Sequence, residues 1–126
     1  MISDQGNILA FNGEILNFKE LKKKYFKGIK FNSNGDTEVL LKGLELIGVN
    51  FLKEVRGFFA FAFYIKSKKE LILARDHFGI KPLYYYKNDK NLVFSSEISP
   101  ILKFKKFNLN MSKRIVFEYL CRSTPP

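Results

Sequence analysis

The hydrophobic pattern changes period along the chain, and each change predicts an element. An apolar run within residues 7–12, formed by Ile8, Leu9, Ala10 and Phe11, ends at Gly13 and predicts a strand. Phe18, Leu21 and Tyr25 then recur at i, i+3 and i+7, with Lys19, Glu20, Lys22 and Lys23 on the opposite side, which is the pattern of an amphipathic helix. Asn17 is placed to cap this helix, and Glu20 follows three residues later in the capping-box relation. A small strand is expected over 29–32, then the turn-forming Ser33-Asn34-Gly35-Asp36 and a second helix over 37–47. Val39, Leu40, Gly43, Leu44 and Ile47 form its buried stripe, Asp36 and Glu38 favour its N-terminus, and Gly48 is placed to end it. A further helical turn is expected over 51–55.

From residue 57 to 65 the period becomes two. Phe59, Phe61, Phe63 and Ile65 alternate with Phe58, Ala60, Ala62 and Tyr64, so both faces of this strand are expected to be buried inside a layered structure. Strand-like runs over 70–75, 83–86 and 92–95 follow, separated by turn compositions, and predict an antiparallel meander. Helical turns are expected over 99–102 and 112–120, and residues 122–126 stop any helix. Segregated helices and strands make the fold class α+β, in one domain over residues 1–126 with a C-terminal helical extension from 103 to 126.

Composition narrows the function classes. The chain of 126 residues is 46% apolar and 16% aromatic, which excludes a disordered segment. Its single cysteine, Cys121, can form no internal disulfide, no apolar run approaches a membrane span, and Met1 to Gly6 carry no leader pattern. The expectation is a soluble cytoplasmic protein with no membrane partner. The net charge of +10 raises nucleic acid as a partner. Only Arg56, Arg75, Arg114 and Arg122 among the 22 basic residues are arginine, and the lysines are scattered over expected helix surfaces and turns, which argues against it.

The densest chemistry lies at Asn12-Gly13-Glu14-Ile15-Leu16-Asn17, where two readings stay open. One is a capped turn between strand and helix. The other uses the same geometry: the Asn17 amide and the Gly13 backbone N–H are two donors beside a helix N-terminus, suited to a developing oxyanion. Asp36 likewise reads as a helix-dipole partner or as a ligand carboxylate. Arg75-Asp76 reads as an ion pair holding its turn, and His77 as a turn residue.

These residues also carry a resemblance. Phe11-Asn12-Gly13-Glu14-Ile15-Leu16-Asn17, Gly35-Asp36-Thr37-Glu38-Val39, Arg56-Gly57-Phe58-Phe59-Ala60-Phe61-Ala62, Ala74-Arg75-Asp76-His77-Phe78-Gly79-Ile80-Lys81-Pro82-Leu83-Tyr84-Tyr85 and Phe94-Ser95-Ser96-Glu97-Ile98 occur in this order. Together they resemble the class II glutamine amidotransferase domain of glutamine-hydrolysing asparagine synthetases, over about residues 8–102. The resemblance implies a partial four-layer αββα sandwich of the N-terminal-nucleophile hydrolase type. It implies that Asn12, Gly13 and Glu14 contact bound glutamine, that Asp36 holds its α-ammonium, and that Gly13 and Asn17 form the oxyanion hole.

The family's nucleophile is an N-terminal cysteine, whereas this chain begins Met1-Ile2. The expectation is therefore a fragment without its nucleophile, inactive alone, whose nucleophile-bearing strands and carboxylate-gripping arginine would precede Met1. Open edges and apolar surface beside Phe59, Phe61 and Phe63 would then favour aggregation. Leu16 stands where the family often has an aromatic residue, and Gly35 where it often has serine. No metal ligand set is expected, and no cofactor in this chain; ATP and Mg belong to the ATP-dependent synthetase domain, the expected partner that amidates aspartate. The resemblance leaves a homodimer of the full-length enzyme open. The alternative is a catalytically dead remnant acting as a binding or interaction domain.

Overall fold

The computed structural model describes residues 1–104 and 112–122. In chain order the elements are β1 (Ile8–Ile15), α1 (Phe18–Tyr25), α2 (Asp36–Leu46), a 3-10 helix (Gly48–Lys53), β2 (Gly57–Ile65), β3 (Glu70–Arg75), β4 (Tyr84–Lys87), β5 (Leu92–Ser95), α3 (Ile98–Phe104) and α4 (Lys113–Arg122). The fold is α+β with antiparallel sheets. β1, β2 and β3 form one sheet with β2 central, and β4 and β5 form a second, two-stranded sheet.

Alternation along β2 sorts its side chains onto two faces. Phe59, Phe61 and Phe63 join Leu9 and Ile15 of β1 in a core completed by Leu21 of α1 and Val39, Leu40 and Leu44 of α2. Each buried phenylalanine stabilises the fold by about 2 kcal/mol. On the opposite face Ala60 and Ala62 are also buried, as the apolar alternation requires, whereas their β1 neighbours Ala10 and Asn12 are exposed. The Phe59-Phe61-Phe63 row therefore borders no open surface; the thinly covered face is the other one. Gly43 of α2 receives the ring of Phe51, since any Cβ there would collide with it, and Phe51 packs against Tyr25 and Phe26 in turn.

Several expected boundaries move for identifiable reasons. β1 does not stop at residue 12: it runs through Gly13 to Ile15, because Gly13 pairs with Phe59 in the ladder. Residues 29–32 form no strand. The N–H groups of Asn32 and Ser33 donate to the Glu38 carboxylate instead, which ties this loop to the first turn of α2. The expected turn over 51–55 overlaps the later part of the 3-10 helix, which ends at Lys53. The meander breaks after β3, where the turn residues donate to Asp76 and lead away from the first sheet. The expected helical turn over 99–102 falls within α3, and that over 112–120 matches α4 from residue 113; α4 includes residue 122, and residues 105–111 and 123–126, with the rest of the predicted stop, lie outside the described residues. Among the described residues no helix is long and apolar enough to cross a membrane.

Candidate functional site

β1 is an edge strand, and its outer edge is the site's foundation. At one end Leu9 N–H donates to the Met1 carbonyl at 2.9 Å and the Met1 ammonium donates to the Leu9 carbonyl at 2.7 Å. At the other end Ile15 N–H donates to Asp36 Oδ2 at 2.8 Å. Backbone groups of alternate residues point to the same side of a strand, so Phe11 and Gly13, between these anchors, also turn theirs to the outer edge. Among the described residues no strand pairs with that stretch.

Asp36 is positioned from α2, whose first residue it is; its Oδ1 accepts from the Thr37 hydroxyl at 3.3 Å. Its anchor on β1, Ile15, lies two residues along the strand from Gly13, roughly 7 Å in extended chain. Asn12 and Glu14 project from the exposed face beside this edge, and neither side chain has a hydrogen-bond partner among the described residues. Asn12 also lines a hollow between the first sheet and the β4–β5 hairpin, with Ala62, Leu83 and Phe94. Asn12, Gly13 and Glu14 thus share the open edge strand, to which Asp36 is anchored at Ile15.

Asn17 is turned differently. It makes no side-chain cap to α1; its Nδ2 donates to the Glu54 carbonyl at 2.9 Å, and its Oδ1 accepts from Arg56 N–H at 2.9 Å. The amide joins the chain leaving β1 to the chain approaching β2, and keeps one Nδ2 hydrogen beyond those bonds. Glu20 does not close a capping box either: it pairs with Arg56 at 2.6 Å.

Gly13 is demanded twice over. Its φ of +145° favours glycine, and a Cβ would strike the Phe58 carbonyl and the Phe59 Cα of β2. Opposite it, Phe59 is bonded in both directions to Asp76: Asp76 N–H donates to the Phe59 carbonyl at 2.8 Å, and Phe59 N–H donates to Asp76 Oδ2 at 3.1 Å. Asp76 forms no ion pair with Arg75. Its carboxylate holds the turn by accepting further N–H bonds from Phe78, Ile80 and Lys81. The structural part of Asp76 was signalled by the Asp-x-x-Gly spacing to Gly79, which has φ +63°.

Three carboxyls are held below their ordinary range: Glu54 at the surface by the hydrogen bond from Lys24, and Asp76 and Glu38 by backbone donors. Burial pushes Asp76 up, but its four backbone donors outweigh that. Burial also pushes Glu38 up and is outweighed by donors from Asn32 and Ser33 and by Lys42. A depressed folded-state pKa means that the unfolded chain binds protons first as pH falls. Stability is therefore expected to be full at neutral pH and to decline once pH drops through about 4, the ordinary carboxyl range, toward the lower folded-state values. Urea midpoints at pH 7, 5, 4 and 3 check this, and Glu38→Gln should flatten the slope; a midpoint constant down to pH 3 contradicts it.

The domain is α+β with antiparallel sheets and carries a glycine and an aspartate at an open strand edge. The family model described as a glutamine amidotransferase domain matches residues 1–126, and the chain belongs to that family. It is similar to asparagine synthetase 1 of Bacillus subtilis, named as glutamine-hydrolysing, with 36% identity over 93% of this chain and 18% of that protein. Asparagine synthetase 2 of the same organism is 38% identical over 79% of this chain and 13% of its own length. Asparagine synthetase B of Escherichia coli is 37% identical over 76% of this chain and 18% of its own length. The chain spans less than a fifth of the length of these relatives.

Proposed function

We propose that the outer edge of β1 binds free glutamine in a glutaminase domain of an asparagine synthetase-like enzyme, which passes ammonia to ATP-dependent amidation of aspartate. The observation that carries this reading is the Gly13 N–H facing an open edge beside the Asp36 carboxylate, itself anchored to Ile15 N–H. The spacing of roughly 7 Å suits an amino acid whose side-chain amide stands three bonds beyond its α-carbon. Asp36 pairs the α-ammonium, Asn12 and Glu14 contact the ligand from the adjoining face, and Gly13 N–H polarises the amide carbonyl, with the spare Asn17 hydrogen as second donor.

The reaction in this reading is attack by a cysteine thiolate on the amide carbon, loss of ammonia, and hydrolysis of the thioester by water. None of these residues supplies the thiol: Cys121 lies on α4 and is exposed. The β4–β5 sheet belongs to the second layer of a four-layer sandwich, a cytoplasmic location accompanies the reading, and ATP and Mg act in the synthetase domain. Among the described residues no three metal-ligating side chains cluster.

Calorimetric titration with L-glutamine tests the site. Saturable binding is expected, at least tenfold weaker for Asp36→Asn and for N-acetylglutamine, which lacks the ammonium. Equal binding of the acetylated ligand overturns the reading. The 126-residue polypeptide is expected to release no ammonia from glutamine; release unaffected by Cys121→Ala contradicts that.

A further inference from the structure

Across β2 from the proposed glutamine edge lies a second hollow with a different chemical character. It is a cavity of about 370 Å³, within the size range of small-molecule sites. Leu52, Val55 and Phe59 give it an apolar lining, and the turn after β3 contributes Phe78, which is 90% exposed. A phenylalanine so placed gains nothing from the core. Its backbone is nonetheless fixed, because Asp76 accepts the N–H groups of Phe78, Ile80 and Lys81.

The polar part of the lining is mixed in charge: two arginines, a histidine and the Asp76 carboxylate. Arg56 and Arg75 both border the cavity, as does His77, the chain's only histidine. Arg56 is occupied by Glu20. Arg75 has no acidic partner and no side-chain hydrogen bond among the described residues. Its guanidinium lies against Gly79, where a Cβ would collide with it, so the turn seats the group without neutralising it. Asp76, the carboxylate in the lining, has both oxygens committed to backbone donors and cannot pair with it. A planar fork of unused donors beside an apolar wall and an exposed ring is the recognition chemistry of an anion attached to a flat apolar body.

We propose that this cavity is a second ligand site, separate from the glutamine edge, for a small organic anion with an aryl or similar flat apolar group. Arg75 binds the anionic head, Phe78 covers the body, and the apolar lining excludes water from it. The chain's net charge of +10 favours the approach of such a ligand.

The test is titration of the ¹⁵N-labelled 126-residue chain with phenyl phosphate, inorganic phosphate and benzyl alcohol, followed by amide shifts. Phenyl phosphate is expected to saturate in roughly the millimolar range, the level for about eleven heavy atoms on an open site. Shifts should be confined to residues 52–59 and 75–81. Inorganic phosphate and benzyl alcohol should each bind at least tenfold more weakly, because each lacks one half of the recognition. Arg75→Gln should weaken phenyl phosphate at least tenfold and Phe78→Ser at least threefold, with unchanged circular dichroism. Lys68→Gln, which removes one charge from the far hairpin turn, should leave binding unaltered. Equal binding of phosphate and phenyl phosphate, equal losses in Arg75→Gln and Lys68→Gln, or no saturable shift at these residues each overturns the proposal.

Discussion

Gly13→Ala is expected to destabilise the chain by about 3–5 kcal/mol, the sum of a strained positive φ and an overpacked contact. The added methyl would meet the Phe58 carbonyl and the Phe59 Cα, both backbone of the central strand, so no side chain can rotate away to relieve it. Against the roughly 5–15 kcal/mol typical of a domain, that loss moves the urea midpoint by about a fifth or more. Gly28→Ala is the control: φ is +77° there and nothing lies within 4 Å of a new Cβ, so only the backbone term of about 1–2 kcal/mol applies. Similar midpoints for the two variants would mean that the close approach of β2 to Gly13 is not what requires glycine.

The same residue shows how far the amino-acid pattern reaches. β2 was legible to the residue, since nine positions apolar on both faces have only one home in a layered fold. β1 was not, because Asn-Gly reads locally as a turn, whereas the register opposite Phe59 makes it strand. Residues 29–32 have strand composition, but Glu38 claims the N–H groups a neighbouring strand would have needed. Asn17 obeys a capping rule in sequence and breaks it in space, because its two partners lie 37 and 39 residues away. Of the site, Asp36 and Gly13 were visible as chemistry with two readings each; it took the edge geometry to place them side by side. The second cavity had no sequence signal beyond the basic and aromatic residues around the Asp76 turn, whose spatial convergence depends on β2 and β3 pairing.

Asp76→Ala is expected to lower the thermal midpoint by roughly 10 °C, because it orphans four backbone donors at once. The loss is unequal among them. Phe78, Ile80 and Lys81 belong to a turn that water can reach, and their N–H groups can rehydrate. Phe59 N–H cannot: it sits in the central strand, on the ladder rung that carries Gly13 on its other side. Removing the carboxylate therefore frees the turn and also loosens the rung against which the proposed oxyanion donor is set. Asp76→Asn, which keeps one acceptor oxygen, should fall between wild type and alanine in stability. Glutamine binding should weaken in the same order, although Asp76 lies outside the proposed glutamine edge. Hydrogen exchange at the Phe59 and Glu14 amides separates the two consequences, since Glu14 faces Phe58 across the ladder whereas the Gly13 N–H is already open. Faster exchange at Phe59 alone would mean that the turn is only a structural clamp; faster exchange at both amides would mean that the turn after β3 sets the geometry of the glutamine edge.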